Sequence, residues 1–308
     1  MRHEFDIIGV GESGVDLMYT VSRIPGRGEK TRAKHAGTFA GGMIGNFCAA
    51  AAKQGMKCGV VTAVGNDSNG RFLLDDYESM GIDTQNAIVD ETDSTFYCLI
   101  FIEPDGEKRL LTVDTKLNSP PIGLIDQDYL KKAKYVHLNS MDYTLASFVT
   151  SALQWSDTKV SLDYEAHAEC AGLEQWKEIF AKTNVLFLNE ESAVSLLGSD
   201  YHVNIVKLNA LGPEVVVITC GEQGGFISSD GIITKYKAAK AAQVADTTGA
   251  GDCFNASFLS RYIEGETISY AAEYAAASAA LSVEKIGART GQPTRDETLN
   301  ALRQQKGG

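Results

Sequence analysis

The chain has 308 residues, 44% of them apolar and 22% charged, and a formal net charge of -12. That length suits one large globular body with a smaller appendage, or two modest domains, and the acidic balance argues against nucleic acid and anionic membranes, which need a basic footprint. No apolar run approaches the ~18 residues of a membrane span, acids interrupt the N-terminal stretch where a signal peptide is apolar, and six cysteines form no C-x-x-C pair, so a cytoplasmic protein with reduced thiols and no zinc site is expected.

Phe5, Ile7, Ile8 and Val10 predict a first strand. It runs into Gly9-Val10-Gly11-Glu12-Ser13-Gly14, a match to the G-x-G-x-x-G dinucleotide fingerprint. That fingerprint requires a helix next, packed on the strand with its N-terminus toward a pyrophosphate. Residues 15–22 instead alternate apolar and polar with period two, and Pro25-Gly26 stops them. The fingerprint therefore lacks the helix it needs, and no nicotinamide or flavin site is expected.

Residues 15–39 read as two extended segments around PGRGEK. GGMIGNFCAAAAKQ (41–54) predicts a helix stopped by Gly55, CGVVTAVG (58–65) a strand, and GRFLLDDYESM (70–80) a helix with Leu73, Leu74 and Tyr77 on one face. Residues 94–114 predict a β-hairpin turning at Pro104-Asp105-Gly106. YVHLNS, KVSLDY, VLFLNE and EVVVITCG then follow as short buried-type strands separated by helical segments. Such alternation implies an α/β fold, a mostly parallel sheet with helices on both faces. Four extended segments with no helix between them imply a small second sheet, serving as a lid, a dimer contact or both. The expected division is an α/β core of 1–14, 40–93 and 115–308 and a β-sheet lid of 15–39 and 94–114.

The strongest chemical signal is VADTTGAGDCFNASFL, residues 244–259. A turn of small residues, Thr248-Gly249-Ala250-Gly251, leads into a helix carrying Phe254, Phe258 and Tyr262 on one face. The unpaired N–H groups of such a helix start suit an anion, and glycines let backbone close around phosphate oxygens. Asp252 stands in that first turn. It can cap the helix, the commonest job for an aspartate there, or accept a proton from a hydroxyl attacking a phosphoryl group.

DTTGAGDCFNASF resembles the second signature of the ribokinase-like (PfkB) carbohydrate kinases, and GGMIGNFCAAAAKQG followed by GVVTAVGNDSNGRFL resembles the first. The similarity extends through GESGVDL, PDGEKR, VVITCGEQGG and VEKIGARTGQPT, nearly the whole chain. This resemblance implies the ribokinase-like fold with its lid, ATP and Mg²⁺ as cofactors, and a small sugar-like substrate phosphorylated on a hydroxymethyl group. It implies Asp252 as the general base, and Gly249, Ala250 and Gly251 as the anion hole. It puts Asp16, Gly41, Gly42 and Asn46 on sugar hydroxyls, with Asn139 where ribokinase has a substrate-contacting glutamate. Asn189, Thr219, Gly221 and Gly224 fall on the ATP side, with the alanine-rich helix 270–283 as an adenine wall. A K⁺ site near Asp246 and Thr248 and a lid-mediated homodimer also follow from the resemblance.

The chain departs from the family pattern in places. The usual N-x-x-E, whose acid helps organise Mg²⁺, reads Asn189-Glu190-Glu191-Ser192, which leaves Glu190, Glu191 or a directly coordinating water in its place, Glu191 being the residue named for the metal and helix N-terminal charge the ordinary role of both glutamates. Asp163-Tyr164-Glu165 lacks the Asp-x-Asn-x-Arg run of fructokinases and ketodeoxygluconate kinases, and Gly291 stands where the cation site has serine. Two alternatives stay open. A nucleoside kinase of the same fold would use an aromatic clamp from Tyr19, Phe39, Phe96 or Tyr97. A non-catalytic sugar-binding protein is the other, which the intact GAGD run argues against.

Overall fold

The computed structural model describes residues 3–113, 115–166 and 172–307. Cys170 lies outside them; the five cysteines within form no disulfide. Among the described residues fourteen strands occur in chain order: β1 (Phe5–Val10), β2 (Gly14–Val21), β3 (Ala33–Gly41), β4 (Cys58–Val61), β5 (Ala63–Gly65), β6 (Ile88–Asp90), β7 (Tyr97–Ile102), β8 (Lys108–Val113), β9 (Ala133–Asn139), β10 (Lys159–Tyr164), β11 (Val185–Asn189), β12 (Val215–Thr219), β13 (Gly225–Ser229) and β14 (Ile232–Tyr236). The longer helices are α1 (Met43–Lys53), α2 (Ser68–Ser79), α3 (Tyr143–Leu153), α4 (Leu173–Phe180), α5 (Glu190–Leu197), α6 (Ala250–Ile263), α7 (Ile268–Ser282) and α8 (Arg295–Gly307).

The main sheet has the order β14-β13-β12-β11-β10-β9-β1-β4, parallel from β12 to β4. Successive side chains of a strand face opposite ways, and both faces are covered. On β1, Ile7 joins one core with Phe47, Phe187 and Phe258, while Ile8 and Val10 join the other with Val136, Leu162 and Trp176. Ala271, Ala272 and Ala275 are buried, and their small side chains let α7 lie close against α6, where the Ser257 hydroxyl donates to Ser278 Oγ at 2.7 Å.

The second sheet has the order β3-β2-β7-β8, with β2 and β7 parallel and the outer pairs antiparallel. It joins the two extended segments around PGRGEK to the hairpin that turns at residues 104–106. After β1 the chain enters β2 directly, with no helix after the glycine fingerprint, so the period-two pattern decided that stretch.

The predicted strand 58–65 breaks at Thr62; β5 leaves the main sheet and pairs with β6. The antiparallel hairpin β13–β14 had no counterpart in the sequence reading. Its signal is Asp230-Gly231, both at positive φ (52° and 75°), the turn chemistry that two-residue hairpins require.

Candidate active site

Sequence puts the polar residues at strand ends, and the parallel sheet brings those ends together. Asn139 closes β9, Asp163 nearly closes β10, Asn189 closes β11 and Thr219 closes β12. Register sets Asn139 beside Asp163 and Asn189 beside Thr219. From β1 the chain goes first to β4 on one side and later to β9 on the other, so order reverses at β1. Open α/β sheets bind ligands at the carboxyl ends of strands beside such a reversal. Glu12, just past β1, meets Asn139 there: Asn139 Nδ2 donates to Glu12 Oε2 at 3.2 Å.

The helix start faces the same crevice. Gly249 precedes α6 at φ 76°, and a Cβ there would lie 2.9 Å from the Ala288 side chain. Only glycine fits this left-handed turn so close to another backbone. No side chain caps α6, so Asp252 is not its cap. Asp252 is 8% exposed, and its Oδ2 accepts from Asn46 Nδ2 at 2.9 Å. Burial pushes its pKa from 3.8 to about 7; the Asn46 bond opposes that rise, Glu12 and Glu165 add to it, and Arg289 opposes it.

Asn46 is itself held from behind. Arg289 Nε donates to Asn46 Oδ1 at 3.2 Å, and the same guanidinium reaches Gly41 O (2.7 Å), Asp76 Oδ2 (2.6 Å) and Tyr77 Oη (3.2 Å). The side chain assigned to sugar hydroxyls thus orients the carboxylate of Asp252. Gly41 and Gly42 carry β3 into α1; Gly42 has φ 83°, and a Cβ there would lie 2.8 Å from Ser13 Cα. Asp16 sits beside Gly41 and across from Phe39 in the β2–β3 ladder. Burial raises its pKa to about 6.

Two cavities meet at this point. One, of about 240 Å³, is lined by Met43, Asp163, Glu165, Asn189, Asp252 and Asn255 among others. The second, of about 720 Å³, is mostly apolar, walled by Gly221, Gly224, Tyr236, Phe254 and the alanines of α7. Thr219 and Gly251 belong to both. The larger volume falls within the range of nucleotide-sized ligand sites.

Other expected residues are placed less simply. Asn189 Oδ1 caps α5 through Ser192 N (2.8 Å), and Glu190 accepts from Tyr201 Oη (2.6 Å). Glu191 is exposed and lines neither cavity. Among the described residues no group of three acids, histidines or cysteines is arranged to hold a metal ion. Carboxylates do border the smaller cavity: Asp163, whose carboxyl burial pushes well up and whose Oδ2 accepts from Asn255 Nδ2 (2.9 Å), and Glu165.

Asp246 Oδ1 accepts from the Thr248 amide (3.0 Å) and hydroxyl (2.7 Å), and Oδ2 from the Gly287 amide (3.0 Å). The cation on Asp246 is Lys108 of β8, at 2.6 Å.

Glu12, Lys108, Glu165 and Arg289 were missed as site residues from sequence. Each lies inside a run already singled out, GESGVDL, PDGEKR, Asp163-Tyr164-Glu165 and VEKIGARTGQPT, but a run does not say which distant side chain its members meet, and only folding shows that.

The chain is 26% identical over 307 residues to a nucleoside kinase of Methanothermobacter thermautotrophicus, covering 100% of this chain and 98% of that one. It is 28% identical over 304 residues to a ribokinase of Haemophilus influenzae, covering 95% and 97%. The structure of Arabidopsis thaliana ribokinase complexed with ribose and ATP has the same fold, with a TM-score of 0.86 at 24% identity over 98% of this chain and 99% of that one. Residues 5–295 match the model of the pfkB family carbohydrate kinases, and the chain belongs to that family.

Proposed function

We propose that the protein transfers the γ-phosphoryl group of ATP to a hydroxymethyl group of a neutral, hydroxyl-rich sugar or riboside, with Asp252 as general base. The observation that carries this reading is the Asp252 carboxylate, steered by Asn46 and set between the open start of α6 and the junction of the two cavities. A carboxyl with a pKa of about 7 is half ionised at neutral pH and can accept a proton. The alcohol gives its proton to Asp252, its oxygen forms a bond to the γ-phosphorus, and the β–γ bridging P–O bond breaks to leave ADP. Gly249, Ala250 and Gly251 stabilise charge on the transferring group through backbone N–H donors. Positioning and electrostatics do most of the work.

The apolar cavity along α7 suits the adenine, and Thr219, Gly221 and Gly224 suit the phosphates. Mg²⁺ would supply charge neutralisation on those phosphates. Glu165 and Asn189, with Asp163 close by, would hold it; carboxylate and amide oxygens suit a hard cation that keeps several waters. The sheet β3-β2-β7-β8 acts as the lid that excludes water. Leu110 and Leu111 of β8 are each 58% exposed, and a second copy of the chain would cover them. Light scattering would then report a dimer, and Leu111→Glu a monomer.

The charge pattern narrows the acceptor. Glu12, Asp163 and Glu165 surround Asp252, and Arg289 spends its donors on Asn46, Gly41, Asp76 and Tyr77. Buried acids with no spare guanidinium donor beside them leave nothing to pair with a second anion, a field that favours a neutral alcohol over a sugar acid or sugar phosphate. The riboside reading has its own support: Phe39 pairs with Asp16, so both side chains share one lid face, where a flat base could stack. An ADP-release assay across neutral sugars, ribosides, sugar acids and sugar phosphates tests both. Turnover confined to the charged acceptors would overturn the field argument, and no turnover with any acceptor would overturn the kinase reading.

A further inference from the structure

Asp246 is 4% exposed and opens the turn that ends in the proposed anion hole. Its four hydrogen bonds tie three parts of the molecule: the Thr248 turn, the Gly287 loop and β8 of the second sheet. Gly249, next in that turn, lies against Ala288, next in that loop. The carboxylate therefore clamps the floor beneath the start of α6. A buried carboxylate needs a positive partner, and here it is Lys108, whose own side chain is 27% exposed.

We propose that the Lys108 ammonium is a tethered cation that holds this floor in its working shape, so that the enzyme needs no free monovalent cation. The inference rests on the phosphotransfer reading of the site. An ammonium is a compact point charge with several donors, able to sit where a bare monovalent ion would otherwise be bound by Asp246. Delivery on a strand of the second sheet makes it part of the fold. Lys108 touches no reacting atom; it is a positioning residue, acting through Asp246 on Gly249, Ala250 and Gly251. A lysine kept only to pin β8 would leave the site indifferent to potassium whether or not it was present.

Activity and thermal melting are to be measured in tetramethylammonium chloride, with KCl or NH₄Cl exchanged for it at constant ionic strength. Wild type is expected to be unchanged by the exchange. Lys108→Met is expected to lose kcat by about 10²-fold, as misplacement of catalytic groups does, with KCl or NH₄Cl restoring roughly tenfold of it. Lys108→Arg is expected to keep most of the activity without potassium. The melting temperature of Lys108→Met, and not that of wild type, is expected to rise when potassium is added. That readout needs no turnover, so it separates failure of this inference from failure of the kinase reading. Several-fold activation of wild type by KCl would overturn it, even if Lys108→Met does not fold. So would full potassium-free activity in Lys108→Met, or a deficit that neither ion repairs.

Discussion

Replacing Asp252 by asparagine should disable the enzyme and stabilise the fold, and both effects follow from one fact. The carboxyl is buried among other acids, and its pKa is raised from 3.8 to about 7. Holding it ionised therefore costs the folded state about 4 kcal/mol relative to the unfolded chain. Asparagine has nearly the same shape and keeps the oxygen that accepts from Asn46 Nδ2, so it removes the charge and spares the contact. With some of the gain lost to relaxation, the expected stabilisation is about 2–4 kcal/mol, or about 3–6 °C in Tm for a chain of this length. The sign depends on pH. Below 3.8 both states are protonated and the variant gains nothing; its advantage grows as pH rises and levels off above about 7. The same substitution removes the proposed general base, and kcat should fall by about 10²–10⁴. Calorimetry of the two proteins across this pH range, beside the ADP-release assay, checks both halves. A variant that melts lower than wild type at alkaline pH would refute the picture of a charge held against its solvation. Undiminished turnover would refute the base.

The remaining expectations concern the surroundings of that carboxylate. For wild type, kcat/KM should fall tenfold per pH unit below about 7, because the base works ionised and Asp252 protonates there; a flat profile across neutral pH would contradict this. Arg289→Met should destabilise the protein by about 3–5 kcal/mol, since it strands the buried partners of the guanidinium, and Arg289→Lys should not rescue it because a point charge cannot replace the fork; chemical denaturation reads both. Gly249→Ala should cost about 1–3 kcal/mol through its positive φ and the Ala288 contact, with kcat reduced by more than the apparent affinity for ATP; unchanged kcat would mean the turn is no anion hole.

Much of the architecture was legible because it depends on local period. The alternation around Val15–Val21 marked a strand where a glycine fingerprint invited a helix, and the small-residue turn before Asp252 marked a helix start open to an anion. The hairpin at Asp230-Gly231 was legible too, through its turn residues, though it passed unread.

Contacts between residues far apart in the chain were a different matter. Asn46 meets Asp252 across 206 positions, Arg289 meets Asn46 across 243, and Lys108 meets Asp246 across 138. No pattern of spacing encodes such pairs, because sequence periodicity records which face of an element is buried and not which side chain waits opposite. The amino-acid order alone carried most of the elements and their type, and it singled out the residues proposed for phosphoryl transfer. Packing decided that Asn46 holds the Asp252 carboxylate, that a lysine from the second sheet sits on Asp246, and that burial raises the Asp252 pKa toward neutrality, since solvation and charge proximity exist only once the chain has folded.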